Sequence, residues 1–209
     1  CDDSEKPMTF GSLTINSGGT YIATSGTTTI TSEKSSSGFA WYNVSGTFTH
    51  NNGNVEFNDN ASHIRENTFY DLNINCNNSG GYIQWRDASG NTLTVANDLT
   101  ITSGTLKRET VTDTLTVTAD VNIAANGTLG QTTDTGANNF GSLTISTGGT
   151  YSATSGTTTI TSRTSGGYSW YSPTTGSTFT HNNGKVKLAY TGNETYWQGT
   201  GFYDLEIAG

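Results

Sequence analysis

The chain has 209 residues, of which only 31% are apolar and 12% charged, while 26 Gly, 41 Thr and 22 Ser dominate, a composition unlike an ordinary globular core. Nine Lys and Arg against 17 Asp and Glu leave a net charge of −8, and the sequence shows no basic stripe or tail, which argues against a nucleic-acid partner. No apolar run approaches the roughly 20 residues needed to span a bilayer, and 8 Phe, 10 Tyr and 4 Trp are too many aromatic residues for a solvated, disordered linker.

Residues 1–9 read as a connecting segment. Cys1, followed by Asp-Asp-Ser-Glu-Lys-Pro, fits either the lipid-bearing residue of a processed bacterial lipoprotein or a start partway through a longer chain. The second reading is preferred, because no signal peptide or cleavage site is visible. With Cys76 as the only other cysteine, the chain cannot build the disulfide framework of a small secreted domain.

A tandem repeat begins at residue 10. FGSLTINSGGTYIATSGTTTITS at 10–32 returns as FGSLTISTGGTYSATSGTTTITS at 140–162. Trp41-Tyr42 returns as Trp170-Tyr171, GTFTHNNGNV at 46–55 as STFTHNNGKV at 177–186, and FYDLNI at 69–74 as FYDLEI at 202–207. The unit is about 130 residues, giving one copy over 10–139 and a truncated second over 140–209. Such a pattern suggests an array with further copies.

Within each copy, short alternating runs are separated by Gly, Asn, Ser or Asp. Leu13-Thr14-Ile15, Val55-Glu56-Phe57, Leu72-Asn73-Ile74, Leu99-Thr100-Ile101 and Val121-Asn122-Ile123 each place one polar residue between two large apolar ones. That is the period-two signature of a half-buried strand, and no 3.6-residue stripe competes with it, so the fold class is all-β. Short strands broken by one-residue turns suit a parallel β-solenoid, with three strands in each coil of about 20 to 25 residues and about nine coils in all. A tandem β-sandwich is the alternative, since a unit of about 130 residues can hold one such domain.

The combination of GTFTHNNGNV, TFYDLNI and Thr-rich Leu-Thr-Val/Ile strands in two copies resembles the repeats of large, uncharacterised Thr/Gly-rich surface and fibre proteins of microbes and their viruses. The resemblance covers nearly the whole chain from residue 10. It implies a right-handed β-helix and a scaffold or adhesin role, and it supplies no catalytic residues.

Candidate site residues follow from the repeat. Trp41, Tyr42, Trp170, Tyr171, Trp85 and Trp197 are candidates for stacking on sugar rings, because two adjacent aromatics on a strand cannot both face inward. The competing reading is that they close the wide coils or mediate subunit contacts. His50 and His181 sit in equivalent Phe-Thr-His-Asn-Asn-Gly segments. There turn chemistry outweighs metal binding, since neither copy offers a second His or Cys nearby; His63 has no counterpart. Asp71 and Asp204, with Glu66 and Glu194 not far off, raise a polysaccharide-cleaving pair, but Asp71 is expected to point outward between core residues Tyr70 and Leu72 with no partner base. Thr-x-Thr pairs such as Thr29/Thr31, Thr92/Thr94, Thr114/Thr116 and Thr159/Thr161 suggest an ice-binding array, a reading broken by the gap through 33–90. Sequons at Asn43, Asn60, Asn77, Asn126 and Asn193 reflect composition.

The expected function is a non-enzymatic, extracellular stalk or fibre segment of a virion, appendage or cell surface. Its partners would be further copies or neighbouring repeats, with no membrane span, metal or cofactor. The alternatives are a carbohydrate-binding adhesin module and a polysaccharide-degrading β-helix enzyme.

Overall fold

The computed structural model describes residues 5–66, 68–78, 80–86, 92–192, 194, 196–199 and 201–208. The described residues form a parallel β-solenoid of about eight turns, without helix. Every strand pairing among them is parallel, and the one antiparallel contact is an isolated bridge between Lys34 and Phe39. Parallel pairing of consecutive coils excludes the β-sandwich alternative, in which neighbouring strands run in opposite directions.

The coils have three faces. Face one is a continuous ladder through Phe10, Ile30, Phe57, Ile74, Ile101, Ile123 and Ile145, extended through Leu143 to Trp170 and Trp197. Face two runs through Leu13, Trp41, Ile64 and Trp85, and from Ile83 through Leu106, Leu129 and Tyr151 to Phe179. Face three pairs Tyr21 with Phe48, and then runs through Phe69, Val95, Val117, Phe140, Ile160 and Leu188 to Ile207. The apolar members of each triplet point inward, and most are almost wholly buried, so three narrow stripes close on one axial core. A core only a few side chains wide accounts for the low apolar content, because stability comes from ladders and coil-to-coil contacts rather than from a thick interior.

Two expectations are corrected in detail. Coils vary more widely than the expected span of about 20 to 25 residues: the turn from Phe57 to Ile74 is shorter than that, and the turn from Ile30 to Phe57 longer. Some strands are also longer than the triplets suggest, where the backbone keeps its ladder around corners, as in Leu99–Arg108 and in Thr114–Leu129, which contributes to all three faces. The ladder runs on across the sequence copies. Asn138–Ile145 is one strand across the start of the second copy at residue 140, and Met8–Phe10 is a strand of the first coil.

The repeat is not a whole number of turns. From Phe10, five turns along face one reach Ile123, and the chain then passes Leu129 on face two before arriving at Phe140 on face three. Phe10 and Phe140 are equivalent in sequence, yet they lie on different faces. The second copy is therefore offset by a third of a turn about the axis.

Candidate functional site

The repeated aromatic residues build an internal cluster, once in each copy. Trp41 meets Phe48 edge-on at 4.7 Å, and Trp170 meets Phe179 at 4.9 Å. Tyr21 stacks on Phe48 at 5.9 Å, and Tyr151 on Phe179 at 5.8 Å. Phe69 and Phe202 close the two clusters against Trp41 and Trp170, at 5.5 and 5.2 Å. The tyrosine hydroxyls explain two inward threonines in an apolar core: Tyr21 bonds Thr28 at 3.1 Å and Tyr151 bonds Thr158 at 2.7 Å. Complete burial pushes the Tyr151 phenol up to about 12.

This geometry divides the sugar-stacking candidates. Trp41 and Trp170 are fully buried and Trp85 nearly so, leaving no ring face for a ligand; they fill the core, the competing reading of the sequence. Tyr42 and Tyr171, one position on, point outward and are half-buried, as strand alternation requires. Trp197 is 44% exposed on the last coil, where it meets Phe202 at 5.8 Å.

The two His-Asn-Asn-Gly segments are matching corner turns. Gly53 donates its N–H to the His50 carbonyl at 2.9 Å, and Gly184 to the His181 carbonyl at 2.9 Å. His50 Nδ1 accepts the Asn52 N–H at 3.1 Å, His181 Nδ1 accepts the Asn183 N–H at 2.9 Å, and the imidazoles stack on Tyr70 and Tyr203 at 5.4 Å in each case. Positive φ falls on Asn51, Asn52, Asn182 and Asn183, not on the glycine. Glycine is required for another reason: a Cβ at Gly53 would lie 2.1 Å from the Thr24 carbonyl oxygen, and one at Gly184 2.0 Å from that of Thr154.

The carboxylates are engaged in coil-to-coil contacts. Asp71 accepts bonds from Asn97 Nδ2 at 2.8 Å and the Asp98 N–H at 3.0 Å; Asp98 accepts the Asp120 N–H at 2.9 Å, and Asp120 accepts the Ser142 hydroxyl at 2.6 Å. Tyr70 is a half-buried partner of His50 rather than a core residue. Glu66 accepts from Trp41 Nε1 at 3.4 Å and from Asn43 Nδ2 at 2.9 Å, whereas Asp204 lies 3.7 Å from Lys185 Nζ, and Glu194, exposed, takes a long bond from the Tyr196 hydroxyl at 3.5 Å. Among the described residues, no group of three or more His, Cys, Asp or Glu is placed to hold a metal ion. Threonines in register on face three, Thr68, Thr94 and Thr116, give way to Asn139 and, beyond Thr159, to Lys187 and Glu206, so no flat hydroxyl column runs the length of the rod. Cys1 and Asn193 lie outside the described residues. Cys76 is buried, and burial pushes its thiol up to about 11.

Two features were not read from the sequence. One is a buried ion pair on the inner side of face two. Arg108, in register with Trp85, points inward and meets Asp134 at 3.1 Å, both almost fully buried, and it also bonds Asn138 Oδ1 and lies 5.3 Å from the Trp85 ring. Burial lowers the Arg108 pKa and raises that of Asp134, in each case against the pull of the partner. The other is a group of charged residues outside the same face, in which cations alternate with carboxylates. Arg65 and Arg86 directly follow the ladder partners Ile64 and Trp85, Lys107 is the ladder partner of Gln84, and His63 and Tyr42 lie beside them. Residues one coil apart in sequence become neighbours in a solenoid, and Glu109, paired with Arg86 at 2.5 Å, follows the two arginines in the same column. The even spacing of 65, 86 and 107, about one coil length each, was the available signal.

No protein-family model matches the chain, and neither the curated proteins nor the solved structures include a match. No described helix is long and apolar enough to cross a membrane.

Proposed function

We propose that the chain is a stiff, non-enzymatic stalk or fibre segment of an extracellular structure, on a virion, appendage or cell surface, that transmits load along the coil axis. The observation that carries this reading is the continuity of face one, whose parallel ladder runs without a missing coil from Phe10 to Trp197. At a strand spacing of ~4.8 Å, eight turns rise about 40 Å. Axial tension is then shared among many backbone hydrogen bonds in each coil. The resemblance to Thr/Gly-rich surface and fibre repeats supports the same reading.

The exposed large apolar side chains sit on the end coils: Ile22 at one end, and Tyr196, Trp197, Tyr203 and Ile207 at the other. The first copy shows what such a surface accepts, because Ile74, the equivalent of Ile207, is fully buried beneath Ile101 of the next coil. End-to-end contact with another coil of this kind is the proposed partnership. Single-molecule pulling between handles at the two ends tests the stalk reading. The expected trace is little extension until a cooperative event, followed by release in packets of about one coil; smooth elongation at low force would overturn it.

A further inference from the structure

We propose that the core beside the Arg108–Asp134 pair is a binding site for a single water molecule, which completes the hydrogen bonding of the two ions. Three buried polar atoms there, Trp85 Nε1, Arg108 Nε and Asp134 Oδ1, have no hydrogen-bond partner among the described residues. Their residues are only 3%, 2% and 1% exposed, so bulk solvent does not reach them. All three line one cavity of about 10 Å³, with Leu106, Leu115 and Leu129 among its other walls. That volume is at the lower bound of the room one water needs, and three polar neighbours are what a buried water commonly has.

The rest of the pair is already engaged. Arg108 Nη1 donates to Asp134 Oδ2 at 3.1 Å, and Nη2 donates to the Ala137 carbonyl at 3.3 Å and to Asn138 Oδ1. Asn138 Nδ2 in turn donates to the Tyr151 hydroxyl at 2.7 Å, which bonds the Thr158 hydroxyl at 2.7 Å. A polar thread thus crosses the apolar core, and the atoms it leaves over are two donors and one acceptor. A buried donor or acceptor left unmade forfeits its hydration without replacement. Chemistry selects the occupant. A cation would face the Arg108 guanidinium and an anion the Asp134 carboxylate, each at close range in a core that screens charge poorly. Water is neutral and small enough, and it can accept from Arg108 Nε and Trp85 Nε1 while donating to Asp134 Oδ1. The site is independent of the stalk reading.

The test is a crystal structure of the chain at a resolution that shows ordered water, with a second crystal soaked in bromide. The expected result is a single peak within about 3.2 Å of Arg108 Nε, Trp85 Nε1 and Asp134 Oδ1, with no anomalous signal in the bromide crystal. In solution, magnetic relaxation dispersion of the water nuclei counts long-lived bound waters. The double variant R108M/D134L, folded by the criterion of a parental circular dichroism spectrum, should hold one fewer than the parent. The crystal needs no substitution, so it decides the matter even where the double replacement fails to fold. The proposal is overturned by no peak at the three atoms, by an anomalous peak that marks a halide, by a direct bond from Arg108 Nε to Asp134 in place of the peak, or by equal counts in the parent and the folded variant.

Discussion

Trp41 and Trp170 occupy the same place in the sequence repeat and the same aromatic cluster, but Trp41 lies on face two, in register with Leu13, and Trp170 on face one, in register with Leu143. Equivalent outward residues such as Tyr42 and Tyr171 therefore face directions a third of a turn apart. A flat partner cannot meet both at once, whereas the packing of the buried core is indifferent to the offset.

Both tryptophans are fully buried, so Trp41→Ala and Trp170→Ala should each cost about 3–5 kcal/mol in urea unfolding. Tyr42→Ala, on the outer surface, should cost less than about 1 kcal/mol. Equal, small losses for all three would contradict the inward assignment.

The Arg108–Asp134 pair gives an asymmetric prediction. Removing one partner leaves an uncompensated charge in the core, so Arg108→Met or Asp134→Leu alone should destabilise by roughly 3–5 kcal/mol. The double replacement should recover most of that loss, because two desolvated charges disappear together. A double-mutant cycle measures the coupling, and additive losses would show that the ions do not depend on each other.

At the corner turns, substitution should separate two uses of small residues. Asn52→Gly keeps the positive φ and should change stability by only a few tenths of a kcal/mol. Gly53→Ala should be markedly worse, by about 1–3 kcal/mol, because the added Cβ meets the Thr24 carbonyl oxygen. The pair Asn183→Gly and Gly184→Ala should reproduce the same order on the other copy.

His63 supplies a pH dependence. Burial, followed by Arg86, lowers its pKa in the folded state below 6.5, against the opposing pull of Glu109 and Glu33. The unfolded chain thus takes up the proton first as pH falls. Stability contributed by neutral His63 is intact above about 6.5 and declines below it until the folded-state pKa is passed. Thermal melts between pH 7.5 and 5 should show this decline, and His63→Gln should flatten it; an unchanged slope in the variant would assign the effect to other groups.

Much of the architecture was legible because it depends on local, periodic information. Leu-Thr-Ile and Val-Asn-Ile triplets carry the inward and outward assignment in their own alternation, and His-Asn-Asn-Gly carries its turn in the tolerance of Asn for positive φ. These properties need no distant partner. What the tertiary structure alone decided is which residues meet across coils. Variable coil lengths, short from Phe57 to Ile74 and long from Ile30 to Phe57, made the sequence repeat close on a different face. The same winding set Arg65 and Arg86 on adjoining strands and turned Arg108 inward to meet Asp134. Register between coils is a sum over every corner that precedes it, so a single triplet cannot specify it, and the neighbours it creates exist only once the chain has wound.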